Sequence, residues 1–346
     1  MIYIVGWLLV YYYLVFSLFV RNYSRIFAIL VLSVLGIIAI LRGSVGTDTS
    51  VYERLASQAE VWQGIEPGFW FLMYLFSLVF NEPVIVVRIF SLLFVVILIW
   101  YLYRSDNEEL FILMTFIVPL FFYNLSMNVI RVGLALSLLL IAFQEERRER
   151  YKKSLIIAFS ALMFHYSMLF VLFYLWFTHE SVNFKFLKFR NFIILSSTIF
   201  FSIVLILVNE SYFFLKFYHY VIREAPSLFS GLSRLALGFV LLSSLFFSKI
   251  EKSYKYRIIA VSVFFMILFF SLNIYITPRF LDLINFLIPI SILRAYRRLQ
   301  LPVETPFKVA LFVAGLAGAA GMYRYMLYES FWTSSPFLPY HTVFDR

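Results

Sequence analysis

The sequence predicts an all-α polytopic membrane protein, and three observations carry that prediction. Of 346 residues, 63% are apolar and only 14% charged, whereas a soluble domain carries about a quarter charged residues. Apolar runs of about 15 to 24 residues recur from end to end, long enough for helices to cross hydrocarbon. The cations also sort by side once those runs are threaded through a membrane. An ordinary soluble enzyme is excluded, and the net charge of +10 gives no reason to expect nucleic-acid binding. The absence of cysteine excludes disulfides and thiolate metal sites. A single integral-membrane domain over residues 1–346 is expected, since one bundle of membrane helices is one domain.

In chain order, crossing helices are expected near 2–20, 26–41, 84–103, 110–123, 129–143, 191–208, 235–248, 258–276, 280–293 and 309–327. The first run has no cation ahead of it and no small-residue cleavage site behind it, which predicts a retained helix. Gly68 to Phe80 is apolar but makes only about 20 Å of helix against about 30 Å of hydrocarbon. It is therefore expected to be a short re-entrant or interfacial helix within an outer loop over 42–83. Ser154 to Phe177 is long, yet His165 interrupts it, so two short helices should meet at Phe164-His165-Tyr166-Ser167. A second outer loop, 209–234, and an outer tail, 328–346, complete the outline.

With the N-terminus outside, this threading puts 19 of the 29 basic residues on inner loops; the densest group is Arg147, Arg148, Arg150, Lys152 and Lys153. A crossing 68–80 segment would turn that group outward, against the positive-inside rule. The other ten are Arg42, Arg54, Arg88, Arg131, Lys216, Arg223, Arg234, Arg279, Arg324 and Arg346, of which nine are arginine. Orientation needs only charge, whereas gripping phosphate or carboxylate in a partly dry site needs the guanidinium fork.

The outer side carries five clusters. Arg42-Gly43-Ser44-Val45-Gly46-Thr47-Asp48-Thr49, then Tyr52, Glu53 and Arg54, leads to Glu66-Pro67-Gly68-Phe69-Trp70. Its glycines let backbone amides face a ligand, or it is a turn capped by Thr47 or Asp48 before a helix. Asn124, Ser126, Asn128 and Arg131 place polar groups at membrane depth, where an ionisable residue is a functional candidate. His165-Tyr166-Ser167 is the third cluster, read either as helix packing or as catalysis. In the fourth, Arg279 and Asp282 lie three apart, so they either neutralise each other or Asp282 orients Arg279. The tail with Glu329, Trp332, Tyr340 and His341 suits an interfacial anchor or a sugar-stacking lid. Asp106-Asn107-Glu108 resembles an acid-x-acid metal motif but falls on an inner loop, read as solvated. No metal site and no cofactor are expected.

Fixed positive charge, few carboxylates, one histidine at the membrane edge and many aromatics together suit glycan transfer from a lipid diphosphate. An anionic leaving group is held by arginine, and a base helps a hydroxyl nucleophile. Loss of one such contact should cost about 2–4 kcal/mol in the transition state.

In their order, these clusters resemble the EpsG branch of Wzy-type polysaccharide polymerases. The resemblance rests on Arg42-Gly43-x-x-Gly46-Thr47-Asp48 with Tyr52, and on Glu66-Pro67-Gly68-Phe69. It continues through Asn128-x-x-Arg131-x-Gly133-Leu134-Ala135, Phe164-His165-Tyr166-Ser167, Arg279-Phe280 and Leu338-Pro339-Tyr340. It departs at Thr49, where the family places an aromatic. The resemblance implies a GT-C-like helix bundle in the bacterial inner membrane, with its active site facing the periplasm. The substrates would be an undecaprenyl-diphosphate-linked oligosaccharide donor and acceptor, joined en bloc into O-antigen, capsule or exopolysaccharide. Membrane lipids, and a chain-length regulator as a candidate, would be the other partners. Carried onto this sequence, it assigns Arg42, Asp48, Glu66 and His165 to catalysis, and Arg131 and Arg279 to the diphosphate. Tyr52, Trp70, Asn128, Tyr166, Asp282, Trp332 and Tyr340 are assigned to substrate binding. Which of Asp48, Glu66 or His165 is the base stays open at this level. A ligase-like lipid-linked glycosyltransferase and a lipid-linked sugar flippase or transporter are the alternatives.

Overall fold

Prolines and polar caps set the helix boundaries. Pro67 and Pro83 sit at the first positions of their helices, where a missing N–H is harmless, and Ser24 caps the helix after it by accepting from the Phe27 amide. The computed structural model describes residues 2–20, 23–62, 64–178, 204, 207, 210–222, 228–272, 274–327, 335 and 337–345. Among them all regular structure is helical apart from one antiparallel bridge, Arg42 to Thr342. The all-α polytopic expectation holds. Among the described residues, five helices are long and apolar enough to cross a membrane: Ile2–Val20, Pro83–Arg104, Asn107–Met127, Lys252–Leu272 and Thr305–Leu327. The span expected at 191–208 falls almost wholly outside the described residues.

The chain forms two compact units. The first comprises Met1–Met168 with Gly315–Arg346, the second Leu169–Ala314. In the first, α1 (Ile2–Val20) and α2 (Arg25–Ile40) pack together. A short amphipathic α3 (Thr49–Ser57) and α4 (Pro67–Val79) lead into α5 (Pro83–Arg104). α6 (Asn107–Ile112) continues through a π turn, Leu113–Ile117, into α7 (Val118–Met127). That turn has a cause in the sequence: Pro119 has no N–H to give the carbonyl of Thr115, and its ring crowds that carbonyl. Gly315 leaves the same carbonyl room, for a Cβ there would come within 1.8 Å of it. α8 (Ile130–Arg147) then packs extensively on α9 (Tyr151–Phe164).

The expected break at His165 is present. α9 ends at Phe164, His165 is extended, and α10 (Met168–Thr178) starts afresh. The 13-residue α4 likewise occupies the segment expected to be too short to cross. Asp106, read from sequence as part of a solvated loop, instead caps α6 in a reciprocal box with Glu109. Asp106 and Glu109 also pair with Arg147, so the acid-x-acid resemblance marks a helix start.

In the second unit, α11 (Glu210–Ile222) precedes α12 (Leu228–Ser243), α13 (Lys252–Leu272) and α14 (Thr277–Arg298). α14 packs against both α12 and α13. The last helix, α15 (Thr305–Leu327), begins in this unit and ends in the first.

Candidate functional site

Glu66 is the N-cap of α4, yet its side chain makes no capping bond. The carboxylate is fully buried and turns instead to Arg131, accepting from Nη1 at 2.5 Å on Oε2. A buried carboxylate without such a partner would be costly by several kcal/mol. Arg131 stands in the first turn of α8, with its guanidinium 5.8 Å from the ring centres of both Tyr52 and Phe69. The two buried rings, whose centres are themselves 5.8 Å apart, line one side of the cation as an aromatic wall.

The other oxygen of Glu66 faces the break between α9 and α10. Oε1 accepts from the Tyr166 amide at 3.4 Å and lies 3.8 Å from His165 Nε2. The imidazole is oriented from behind, because Nδ1 accepts from the Ser167 amide at 3.1 Å and touches the Ser167 hydroxyl at 2.6 Å. Nδ1 being the acceptor, the neutral ring carries its proton on Nε2, aimed at Glu66. Gly68 makes this meeting feasible: a Cβ there would sit 2.7 Å from the Cβ of Met163, so only a bare backbone lets α4 start against the end of α9.

Asp48 occupies the rim. It is the N-cap of α3, and it too makes no side-chain capping bond. Asn128 holds its backbone in place, with Oδ1 accepting from the Asp48 amide at 3.1 Å and from Thr47 Oγ1 at 2.5 Å. Asn128 is itself fixed by donating to Asn124 at 3.1 Å. The turn ahead of Asp48 depends on Gly46, whose φ of 110° is left-handed and where an added Cβ would fall 2.8 Å from the Met127 carbonyl. Asp48 is half-exposed, with Thr47 Oγ1 at 3.4 Å from its carboxylate.

The structure therefore brings Glu66, Arg131, His165 and Tyr166 together, with Tyr52 against Arg131, and ties Asp48 to Asn128, three residues ahead of Arg131 in the chain. Arg42 is placed differently. It is fully enclosed, and its Nη1 donates to the Ala39 carbonyl at 2.5 Å and the Ser91 hydroxyl at 2.9 Å. Burial, and then the nearby Arg88 cation, lower its pKa to about 9, so the guanidinium remains charged at neutral pH. Its surroundings are those of a strut. Arg88 Nε donates to the Arg42 carbonyl at 2.8 Å, while Arg88 Nη2 reaches Gly43 O at 2.6 Å and Glu53 at 3.2 Å. The C-terminal tail crosses here as well, with Gly43 N donating to His341 O at 2.7 Å and the Tyr340 hydroxyl to Ile38 O at 2.7 Å.

Trp70 donates its indole N–H to the Ala59 carbonyl at 2.9 Å, pinning the loop, and its ring stacks on Tyr74. Arg279 and Asp282 belong to the second unit. There Asp282 accepts from Arg234 Nε at 2.7 Å, while Arg279 lies over the Tyr275 ring at 5.7 Å. Asn285 adds a hydrogen bond to the Arg234 carbonyl at 2.9 Å. Trp332 lies outside the described residues. Sequence reasoning gave no role to Arg88, Glu53 or Arg234. The available signal was an arginine inside or beside an apolar run, which needs an acidic partner somewhere in the fold.

Chemically, the first unit offers a guanidinium in a dry aromatic frame, a carboxylate committed to it, an oriented imidazole and a second, less encumbered carboxylate at the rim. Among the described residues no three histidines, cysteines or acids converge as metal ligands. Compared with known families, the chain matches the sequence model of the EpsG family over residues 24–342. No curated protein and no solved structure matches it.

Proposed function

From the premise that this chain belongs to the EpsG family, a membership that points to a polysaccharide polymerase of the glycosyltransferase type, we propose a specific reaction. The protein joins lipid-diphosphate-linked oligosaccharide repeat units en bloc at the outer face of the bacterial inner membrane, with undecaprenyl as the lipid. The observation that supports this reading best is the Glu66–Arg131 pair beside the oriented His165, with Asp48 held by Asn128 three residues ahead of Arg131 in the chain.

In the proposed step, the bond between the donor's anomeric carbon and the diphosphate oxygen breaks. Its electron pair leaves with the diphosphate, and a new bond forms from that carbon to an acceptor hydroxyl oxygen. Arg131 stabilises the charge gathering on the leaving group, worth about 2–4 kcal/mol for one well-placed donor in a dry site. Glu66 holds the fork at the angle it needs, as a positioning residue. Asp48 takes the acceptor's proton: Glu66 is committed to Arg131, and the imidazole's accepting nitrogen is already occupied by Ser167. His165 then orients through its Nε2–H, and Tyr52, Tyr166 and Trp70 shape the sugar path. Arg42 serves as a strut behind the site. Arg279 is proposed as a further diphosphate-binding cation, tested on its own by Arg279→Ala. No metal is required.

The test is a gel of lipid-linked glycans from cells lacking the gene, complemented with wild type or Arg131→Lys. A single repeat unit in place of a ladder in both the null and the variant supports polymerisation through Arg131. A full ladder that fails only to reach its final carrier indicates a ligase instead. Loss of all repeat units outside the membrane indicates transport.

A further inference from the structure

The ends of α5 and α8 remote from Arg88 and Arg131 carry a second charged feature that the proposed reaction does not use. Arg131 and Arg148 are 17 positions apart along α8 and its C-cap, about 25 Å at helical rise. At that far end, Trp100, Tyr103, Arg104, Ile141, Arg148, Arg150, Lys153 and Ile157 line an open cleft of about 570 Å³.

Its charge is organised rather than scattered. Glu145, fully buried, pairs with Arg104 and lies 3.7 Å from both Arg150 Nη1 and Lys153 Nζ. One carboxylate therefore gathers three of the four cations lining the cleft and neutralises only one. Neighbouring Arg147 is already paired with Asp106 and Glu109. The crowding is felt at Arg148, held below the usual guanidinium value by desolvation and then by Arg104 and Arg147. An anion would relieve that repulsion.

The apolar side of the cleft has a direction. The Trp100 and Tyr103 rings stack 6.3 Å apart, and Arg104 sits over Trp100 at 5.6 Å. From these rings an exposed strip runs along α5 through Val96, Leu92 and Ile85, at spacings of four, four and seven residues that keep it on one helix face. Aromatic residues at the edge of such a strip mark a membrane–water boundary. Cations at that boundary, with an acyl-length apolar track leading away, fit a phosphate that is attached to a chain.

We propose that this cleft binds the phosphate of an anionic phospholipid, whose acyl chain lies along the Trp100–Val96–Leu92 face of α5. The shared chemistry with free phosphate is the cationic cradle, and the apolar track is what distinguishes the lipid. The inference stands independently of the glycosyl-transfer reading.

The experiment uses the full chain in nanodiscs and in detergent. Native mass spectrometry counts retained phosphatidylglycerol against phosphatidylcholine, for wild type and for the R148Q/R150Q/K153Q variant. Wild type should hold phosphatidylglycerol selectively, and the variant should bind it about a hundredfold more weakly, at about fivefold per cation removed. Phosphatidylglycerol brominated on its acyl chains should quench a tryptophan signal that Trp100→Phe removes, a readout on wild type that does not depend on the triple variant folding. Equal retention of both lipids by wild type, or quenching unchanged by Trp100→Phe, overturns the proposal. Displacement of the lipid by millimolar inorganic phosphate would also overturn it, by showing a free-phosphate site.

Discussion

Glu66 and Arg131 meet at 2.5 Å across 65 residues of chain, with the carboxylate wholly buried and the guanidinium only 18% exposed. Such a pair is a poor source of net stability, because desolvating two charges offsets much of their attraction. Breaking one side of it is another matter, since the remaining charge is stranded. The pair is thus better understood as fixing one orientation of a cationic fork.

Arg131→Lys keeps the charge and loses the fork. It should retain the fold while slowing polymerisation by about 10²- to 10³-fold, the usual loss for one transition-state donor. Arg131→Ala should in addition destabilise the protein by about 3–5 kcal/mol, as a buried carboxylate is left unpaired. Ladder formation and thermal unfolding in detergent separate the two effects. A wild-type rate in Arg131→Lys would remove Arg131 from the reaction.

Asp48→Asn should abolish most activity, by about 10²- to 10⁴-fold for loss of a general base. The unfolding temperature should hardly move, because the carboxylate makes no capping bond. If Asp48→Asn turns over normally while a His165→Gln chain is inactive, the base is His165.

Gly46 and Gly321 should answer oppositely to the same change. Gly46→Ala puts a Cβ 2.8 Å from the Met127 carbonyl on a left-handed backbone and should cost about 1–3 kcal/mol. Gly321→Ala meets nothing within 4 Å on a helix and should be neutral or stabilising by up to about 1 kcal/mol. Thermal unfolding of the two purified variants is the check.

Washing membranes with EDTA should leave polymerisation unchanged, since guanidinium rather than metal is proposed to carry the leaving-group charge. A loss of activity that Mg²⁺ restores would overturn that part of the mechanism.

Much of this architecture was readable beforehand because the membrane punishes irregularity. An ionisable or polar group inside an apolar run must have a reason, and that rule alone singled out Arg131, His165 and Asn128. The break at His165 followed from a polar residue in the middle of a long apolar run, and the shortness of α4 from hydrocarbon thickness. Partnership was not readable. Asp282 stands three residues from Arg279, a helical spacing that invites pairing, yet its carboxylate accepts from Arg234, 48 positions away. Glu66 is the N-cap of α4, but nothing local in the sequence says that it reaches Arg131. The capping box at Asp106 and Glu109 was different: its spacing is a local signal, obscured by an acid-x-acid pattern of no greater specificity.

The tail bridge between Arg42 and Thr342 has a consequence in time. Gly43 receives its partner from His341, Ile38 from Tyr340 and Leu41 from Val343, all about three hundred residues downstream. During synthesis α2 and the loop bearing Asp48 enter the membrane long before those residues exist. Until the ribosome delivers them, Arg88 can already hold the Arg42 and Gly43 carbonyls, but the Gly43 amide and the Leu41 carbonyl lack their tail partners. The loop that bears Asp48 is therefore anchored to the tail only after the last residues are made, so on the proposed mechanism a half-made chain would be inserted yet inactive.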